Sequence, residues 1–199
     1  MERAILVNVA TTKAEKADAE SSMAELAGLA AAAGAEVVGR VFQVRPRINP
    51  RSFVGEGKAE EIAGLVRETD AGLVVIDHNL NATQQRNLED ELRAKVVDRT
   101  QLILDIFAQR ARTNEGKLQV ELAQLNYRLP RLRGKGLGLT QQGAGIGTRG
   151  PGEKKLEVDR RRITDRIARI RKDIDGLQKR RSGQRESRRE SPVPTVSLV

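Results

Sequence analysis

The spacing of hydrophobic positions changes once along this chain, near Asp98. Before it, short aliphatic and β-branched runs are separated by amphipathic stretches of about ten to twenty residues, the rhythm of strand–helix–strand units. Arg3–Val9 (RAILVNV) predicts a strand. Thr12, Lys13, Ala14 and Glu15 have the form of a capping box, in which hydroxyl and carboxylate satisfy the first free N–H groups of a helix reciprocally. The alanine-rich helix behind it is expected to stop near Gly34, a residue suited to the left-handed position past a helix end. Glu36–Val44 predicts a second strand, Arg45–Gly57 a loop punctuated by Pro46, Pro50, Gly55 and Gly57, and Lys58–Arg67 a helix. Gly72–Ile76 (GLVVI) reads as a buried strand, Asn81–Ala94 as a helix and Lys95–Val97 as a short last strand. Strands joined through helices need crossovers, and crossovers pair strands in parallel. Residues 1–100 are therefore expected to form an α/β subdomain, a small open parallel sheet with flanking helices.

After Asp98 the period lengthens. Leu104, Ala108, Ala111, Glu115, Leu118, Leu122 and Leu125 alternate four- and three-residue steps, the stripe of a helix that packs on another helix. Leu156, Ile163, Ile167, Ile170, Ile174 and Leu177 form a comparable seam, with Arg160 at the skipped position. Each stripe is the natural partner of the other, which predicts a long antiparallel, coiled-coil-like α-helical hairpin over residues 101–190. A first arm of about 26 residues would be about 39 Å long and would hold the intervening loop well clear of the sheet. The same stripes also suit homodimerisation, although a monomer is the expectation because dimerisation leaves that loop without a purpose. Lys179–Glu190 is mostly charged and reads as frayed helix or linker. Past Pro192 and Pro194, Thr195–Val199 reads as the first strand of a further domain, so residues 191–199 are expected to be linker and strand.

Charge sharpens this division. Residues 1–98 carry 12 Lys/Arg and 16 Asp/Glu, whereas residues 99–199 carry 24 and 11, so the net +9 of the whole chain comes from its second half. Localised positive charge is the footprint of a nucleic-acid binder; the plainer alternative is a solvated surface enriched in arginine. The segment between the stripes is glycine-rich, with eight glycines among the nineteen residues Gly134–Gly152, and no acid occurs from Leu122 to Gly152. Without Cβ atoms such a backbone can approach phosphates closely. It has little to bury by itself, and Leu137, Leu139 and Ile146 distinguish it from a plain linker. Lacking an aromatic residue, it suits phosphate and shape contacts rather than base stacking. The absence of cysteine excludes disulfides and thiolate zinc sites. Neither an apolar run of eighteen residues nor a signal peptide is present, so a soluble cytoplasmic protein without a membrane span is expected.

Three motifs tempt and fall short. Gly145, Gly147 and Gly150 satisfy G-x-G-x-x-G, but no strand precedes them. Ser52–Ala59 approaches a phosphate-binding loop yet has Ser52 where glycine is needed and Ala59 where a hydroxyl should hold magnesium. Asp77 and His78 follow the GLVVI strand at the edge where open α/β folds bind ligands, with no second histidine or triad partner around them. Asp77 is expected to be a cap or hydrogen-bonded turn residue, and no catalytic constellation is found.

Four longer blocks carry a resemblance. They are Asn49–Lys58 (NPRSFVGEGK), Asp98–Arg110 (DRTQLILDIFAQR), Glu115–Leu125 (EGKLQVELAQL) and Gln142–Glu157 (QGAGIGTRGPGEKKLE). Together they closely resemble the N-terminal part of the HflX family of ribosome-associated GTPases. The resemblance implies an α/β subdomain, a helical hairpin and a following GTP-binding domain. GTP and Mg2+ would belong to that following domain, none of whose nucleotide motifs lies in this chain, so no cofactor is expected within it. The partners implied are the large (50S) ribosomal subunit with its rRNA and the chain's own GTP-binding domain. The role implied is docking near the peptidyl-transferase centre to split or rescue stalled or stress-inactivated ribosomes. Carried onto this sequence, the RNA-binding residues are Arg131, Arg133, Lys135, Gln141, Gln142, Gly143, Gly145, Gly147, Arg149, Gly150, Gly152, Lys154 and Lys155. The alternative is an α/β domain that binds or hydrolyses ATP at the carboxyl edge of its sheet.

Overall fold

The computed structural model describes residues 1–132 and 151–189, with side chains in the second span from 157 to 186 and at 188. Its order is β1 (Glu2–Ala10), α1 (Lys13–Ala32), β2 (Ala35–Val44), α2 (Glu56–Thr69), β3 (Leu73–Ile76), α3 (Ala82–Leu92), β4 (Lys95–Asp98), α4 (Arg99–Arg110), α5 (Asn114–Leu132) and α6 (Pro151–Arg189). The strands pair in parallel in the order β2-β1-β3-β4. Both faces of the sheet are covered. Ile5, Val7, Val74, Ile76 and Val96 meet the α2/α3 layer through Ile62, Ala63, Val66, Leu88 and Leu92. Ala4, Leu6, Leu73, Val75 and Val97 meet the α1/α4 layer through Met23, Leu26, Ala30, Leu102 and Ile106. Burial on two faces is why the strands read as continuous aliphatic runs instead of alternating ones.

The local signals act as expected. Thr12 caps α1 and Glu15 closes the box; Asn81 and Gln84 do the same for α3. Gly34, at φ 86°, ends α1 in the left-handed region. The β1–β2 register slips between Ala4 and Ile5, so that Val38 is passed over and Ile5 faces Gly39. A Cβ on Gly39 would stand 2.8 Å from Leu65 Cδ2 and 3.3 Å from Ile5 Cγ1, so glycine here permits α2 to close on the sheet.

The long first arm is not observed. The chain bends between α4 and α5: Ala111 is extended at φ −67°, ψ 110°, and Thr113 starts a new helix by accepting Gly116 N–H at 3.0 Å. Leu102 and Ile106 turn α4 towards the sheet, leaving Leu104 half-buried and Ala108 exposed. The apparent stripe from Leu104 to Leu125 therefore spans two helices. α5 folds back along α4, with Gln124 donating to Asp105 at 3.3 Å, and returns to the end of β4. α6 lies antiparallel to α5, buries Ile167, Ile170 and Ile174, and continues as helix through Arg189, where frayed helix or linker was expected. Its 39 residues amount to about 58 Å of helix.

Candidate nucleic-acid interface

α6 presents its isoleucines inwards and cations outwards. Arg166 forks onto Glu121 at 2.7 and 2.8 Å, Arg181 pairs with Glu115, and Arg162 reaches Asp159 at 3.8 Å. Arg161, Arg169, Lys172, Lys179 and Arg180 are exposed and form no salt bridge among the described residues. By helical period Arg161, Lys172 and Lys179 lie on one line opposite the isoleucine seam, with Arg162, Arg169 and Arg180 on the next; Asp165 is the acid between them. Cations held apart on a rigid rod suit phosphates better than neutralised pairs do. Glu115, the odd member of the sequence stripe, is explained by Arg181.

The C-terminal turns of α5 are fixed to the sheet. Asp98, 1% exposed at the end of β4, caps α4 by accepting Gln101 N–H at 2.8 Å. Its other oxygen accepts Leu80 N–H at 3.1 Å and the Arg131 guanidinium at 3.0 Å. Arg131 also donates to the carbonyls of Leu80 at 2.6 Å and Tyr127 at 3.0 Å, and its guanidinium carbon stacks 3.4 Å over the Tyr127 ring. The Tyr127 hydroxyl is buried without a hydrogen bond of ordinary geometry. Burial first, and the neighbouring Asp98 carboxylate second, raise its pKa above the usual tyrosine range.

In open sheets the order reverses at a switch point, here between β1 and β3, and ligands bind beyond the carboxyl ends there. In this chain polar side chains fill the place. Asp77 accepts Asn8 at 2.8 Å and Ser22 on one oxygen, and Arg99 at 2.9 Å on the other; Arg99 continues to Glu25. His78 lies against Phe53, ring centroids 5.4 Å apart, with its Nδ1 buried and unpartnered. The loop 45–55 closes over this edge through paired backbone bonds between Asn49 and Phe53, which hold Phe53 at φ 65°. α2 begins at Gly55 without a side-chain cap, and Arg45 packs against that glycine. Among the described residues no cluster could hold a metal ion, and no helix is long and apolar enough to cross a membrane.

The expected RNA-binding residues distribute unevenly. Arg133, Lys135, Gln141, Gln142, Gly143, Gly145, Gly147, Arg149 and Gly150 lie outside the described residues. Gly152, Lys154 and Lys155 fall in the first turns of α6, whose side chains there are likewise outside them. Arg131 does not stand free for a partner; Asp98 and Leu80 hold it. Nor does the basic segment leave from the far end of a rod, because the bend at 111–113 returns α5 to the carboxyl edge of the sheet. Sequence reading missed the outer cations of α6, which periodicity could have found once the isoleucine seam was drawn. It also missed the Asp98–Arg131 pair, for which no local signal exists.

Comparison with known proteins places these features. Residues 20–108 match the family described as GTP-binding GTPase N-terminal, and residues 110–188 match GTP-binding GTPase Middle Region. "GTPase HflX" of Caldanaerobacter subterraneus is 51% identical over 198 residues, covering 100% of this chain and 45% of that protein. "GTPase HflX" of Escherichia coli is 47% identical, again over 100% of this chain and 46% of the relative. A solved structure of an SsGBP and GDP complex superposes with a TM-score of 0.66 at 22% identity, over 98% of this chain and 49% of that one, a likeness of fold. The chain thus spans about half the length of the curated relatives it matches.

Proposed function

From the premise that this chain belongs to the HflX family of GTPases, whose N-terminal region it matches, we propose that it is a ribosome-binding module. It docks on the large ribosomal subunit, with the glycine-rich basic segment directed at rRNA near the peptidyl-transferase centre. In the whole protein this docking supports the splitting or rescue of stalled or stress-inactivated ribosomes, with GTP and Mg2+ handled by a separate domain. Placement in the cytoplasm follows from that partner. The observation that carries the reading is the segregation of charge onto one arm: Arg161, Arg169, Lys172, Lys179 and Arg180 on the outer side of α6 form no salt bridge among the described residues, and the acid-free segment leads into the same helix.

Co-sedimentation with purified large subunits tests it, with and without residues 134–152, over a salt series. Each phosphate neutralised adds about 0.7–0.9 to the slope of log affinity against log salt. The intact chain is expected to pellet with subunits and the shortened chain to bind much less. Equal binding by both, flat across the series, would remove the segment from the interface.

A second reading, nucleotide binding at the carboxyl edge, draws on the uncapped start of α2 at Gly55 with Arg45 beside it. Against it, both Asp77 oxygens at the switch point already have partners. Calorimetry of the chain with ATP and magnesium separates the two: the first reading expects no heat, and saturable heat favours the second.

A further inference from the structure

A glycine-rich segment that binds a ligand gains affinity when the element it springs from is held still, because the entropy of ordering that element is then lost before binding rather than during it. The root of this segment is held by one arginine. Two residues before Arg133, the Arg131 guanidinium joins the end of β4 through Asp98, the turn after β3 through the Leu80 carbonyl, and its own helix through the Tyr127 carbonyl and ring. Asp98 is 1% exposed, and its two oxygens also accept the Gln101 and Leu80 N–H groups. Charge-assisted bonds to a buried carboxylate are the strong class, and the forked geometry is one that lysine does not reproduce.

We propose that Asp98, Arg131 and Tyr127 form a clasp that positions the basic segment for RNA, and that Arg131 acts through Asp98 instead of touching phosphate. This makes the α/β subdomain a participant in RNA binding through the placement of α5, although none of its own side chains need meet the partner. The binding part of the inference rests on the ribosome reading above. The clasp itself can be judged without it.

Two readouts separate these parts. Tyr127 is the only tyrosine and the chain has no tryptophan, so tyrosinate absorbance reports on the clasp directly. In the free protein burial of the ring, stacked under the Arg131 guanidinium, and then the neighbouring Asp98 carboxylate keep Tyr127 from ionising in the ordinary range near 10. They act against the opposing charge of Arg131, which lysine would retain while losing the stack. Asp98→Asn and Arg131→Lys should each bring the ionisation down towards that range, and a wild-type titration already at the ordinary position would refute the clasp. Asparagine still caps α4 through its amide oxygen; if that variant fails to fold by circular dichroism, Arg131→Lys decides.

The second readout is large-subunit binding over a salt series. Arg131→Gln is expected to weaken binding about tenfold with an unchanged slope, the mark of lost pre-organisation and not of a lost contact. Asp98→Asn should weaken it similarly although the variant is more positive, and the double variant should be no weaker than either single one. Tighter binding by Asp98→Asn, or a slope lowered by about 0.7–0.9 in Arg131→Gln, would make Arg131 a direct phosphate contact and overturn the proposal. Absence of binding by the wild type would defeat the ribosome reading and with it the positioning role, while the tyrosinate result still settles the clasp.

Discussion

Asp77 shows how one side chain can hold the switch point of a sheet. It is 6% exposed and satisfies Asn8, Ser22 and Arg99 together. Its replacement by alanine should destabilise the fold by about 3 kcal/mol, because three polar groups lose their partner in a buried place. Glu25→Ala, at the exposed end of the same network, should cost less than about 1 kcal/mol. Urea denaturation of both variants checks the contrast, and equal losses would mean that burial does not set the difference. Tyr127 gives a pH dependence. Its folded pKa is raised, so its contribution is present in full below the unfolded value near 10 and declines as pH rises beyond it. Chemical denaturation at increasing alkaline pH should show falling stability, and Tyr127→Phe should flatten that fall. The role of Asp77 as a hydrogen-bonded turn residue was readable from its place after a strand. The left-handed backbone of Phe53 was not, since a bulky aromatic gives no hint of positive φ and is held there by Asn49.

At the scale of elements, the α/β part was legible because its signals are local. The capping box at Thr12, a helix stop at Gly34 and uniform aliphatic strands each act within a few residues. The bend at 111–113 was not, for the stripe keeps its four-three spacing across it and hides the change of direction. The usable signal was Thr113, a hydroxyl three residues before a helical glycine. Thr113→Ala should cost about 1 kcal/mol of stability, the usual loss of a helix cap, measured by urea midpoint at constant slope. The α5–α6 pairing should respond to acid. Glu121 is held below the usual carboxylate range by its bonds to Arg166, so its small contribution is present above the unfolded value near 4.3 and is lost as pH falls through the folded one. A pH series comparing wild type with Glu121→Gln should converge at low pH; a constant gap would show that the carboxylate charge is not what holds the pair.

Across the whole molecule, charge was visible in the sequence as a difference between halves, but its arrangement was not. Only the structure separates cations that serve the protein, such as Arg131 and Arg166, from those left to solvent along α6. These 199 residues contain no G-x-x-x-x-G-K-[ST] sequence. Addition of GTP to this chain should therefore produce no phosphate release and no change in large-subunit affinity, and turnover in a phosphate assay would contradict that. Such an assay on the same preparation used for co-sedimentation tests nucleotide chemistry and docking separately.

The return of α5 to Asp98 has a geometric corollary. An excursion of 33 residues starts and finishes on the same carboxylate, so its span is uncoupled from where it ends. Matching turns could be deleted from, or added to, the two helices at their elbow, changing the reach of that protrusion while the end of α5 at Leu132 stays where it is.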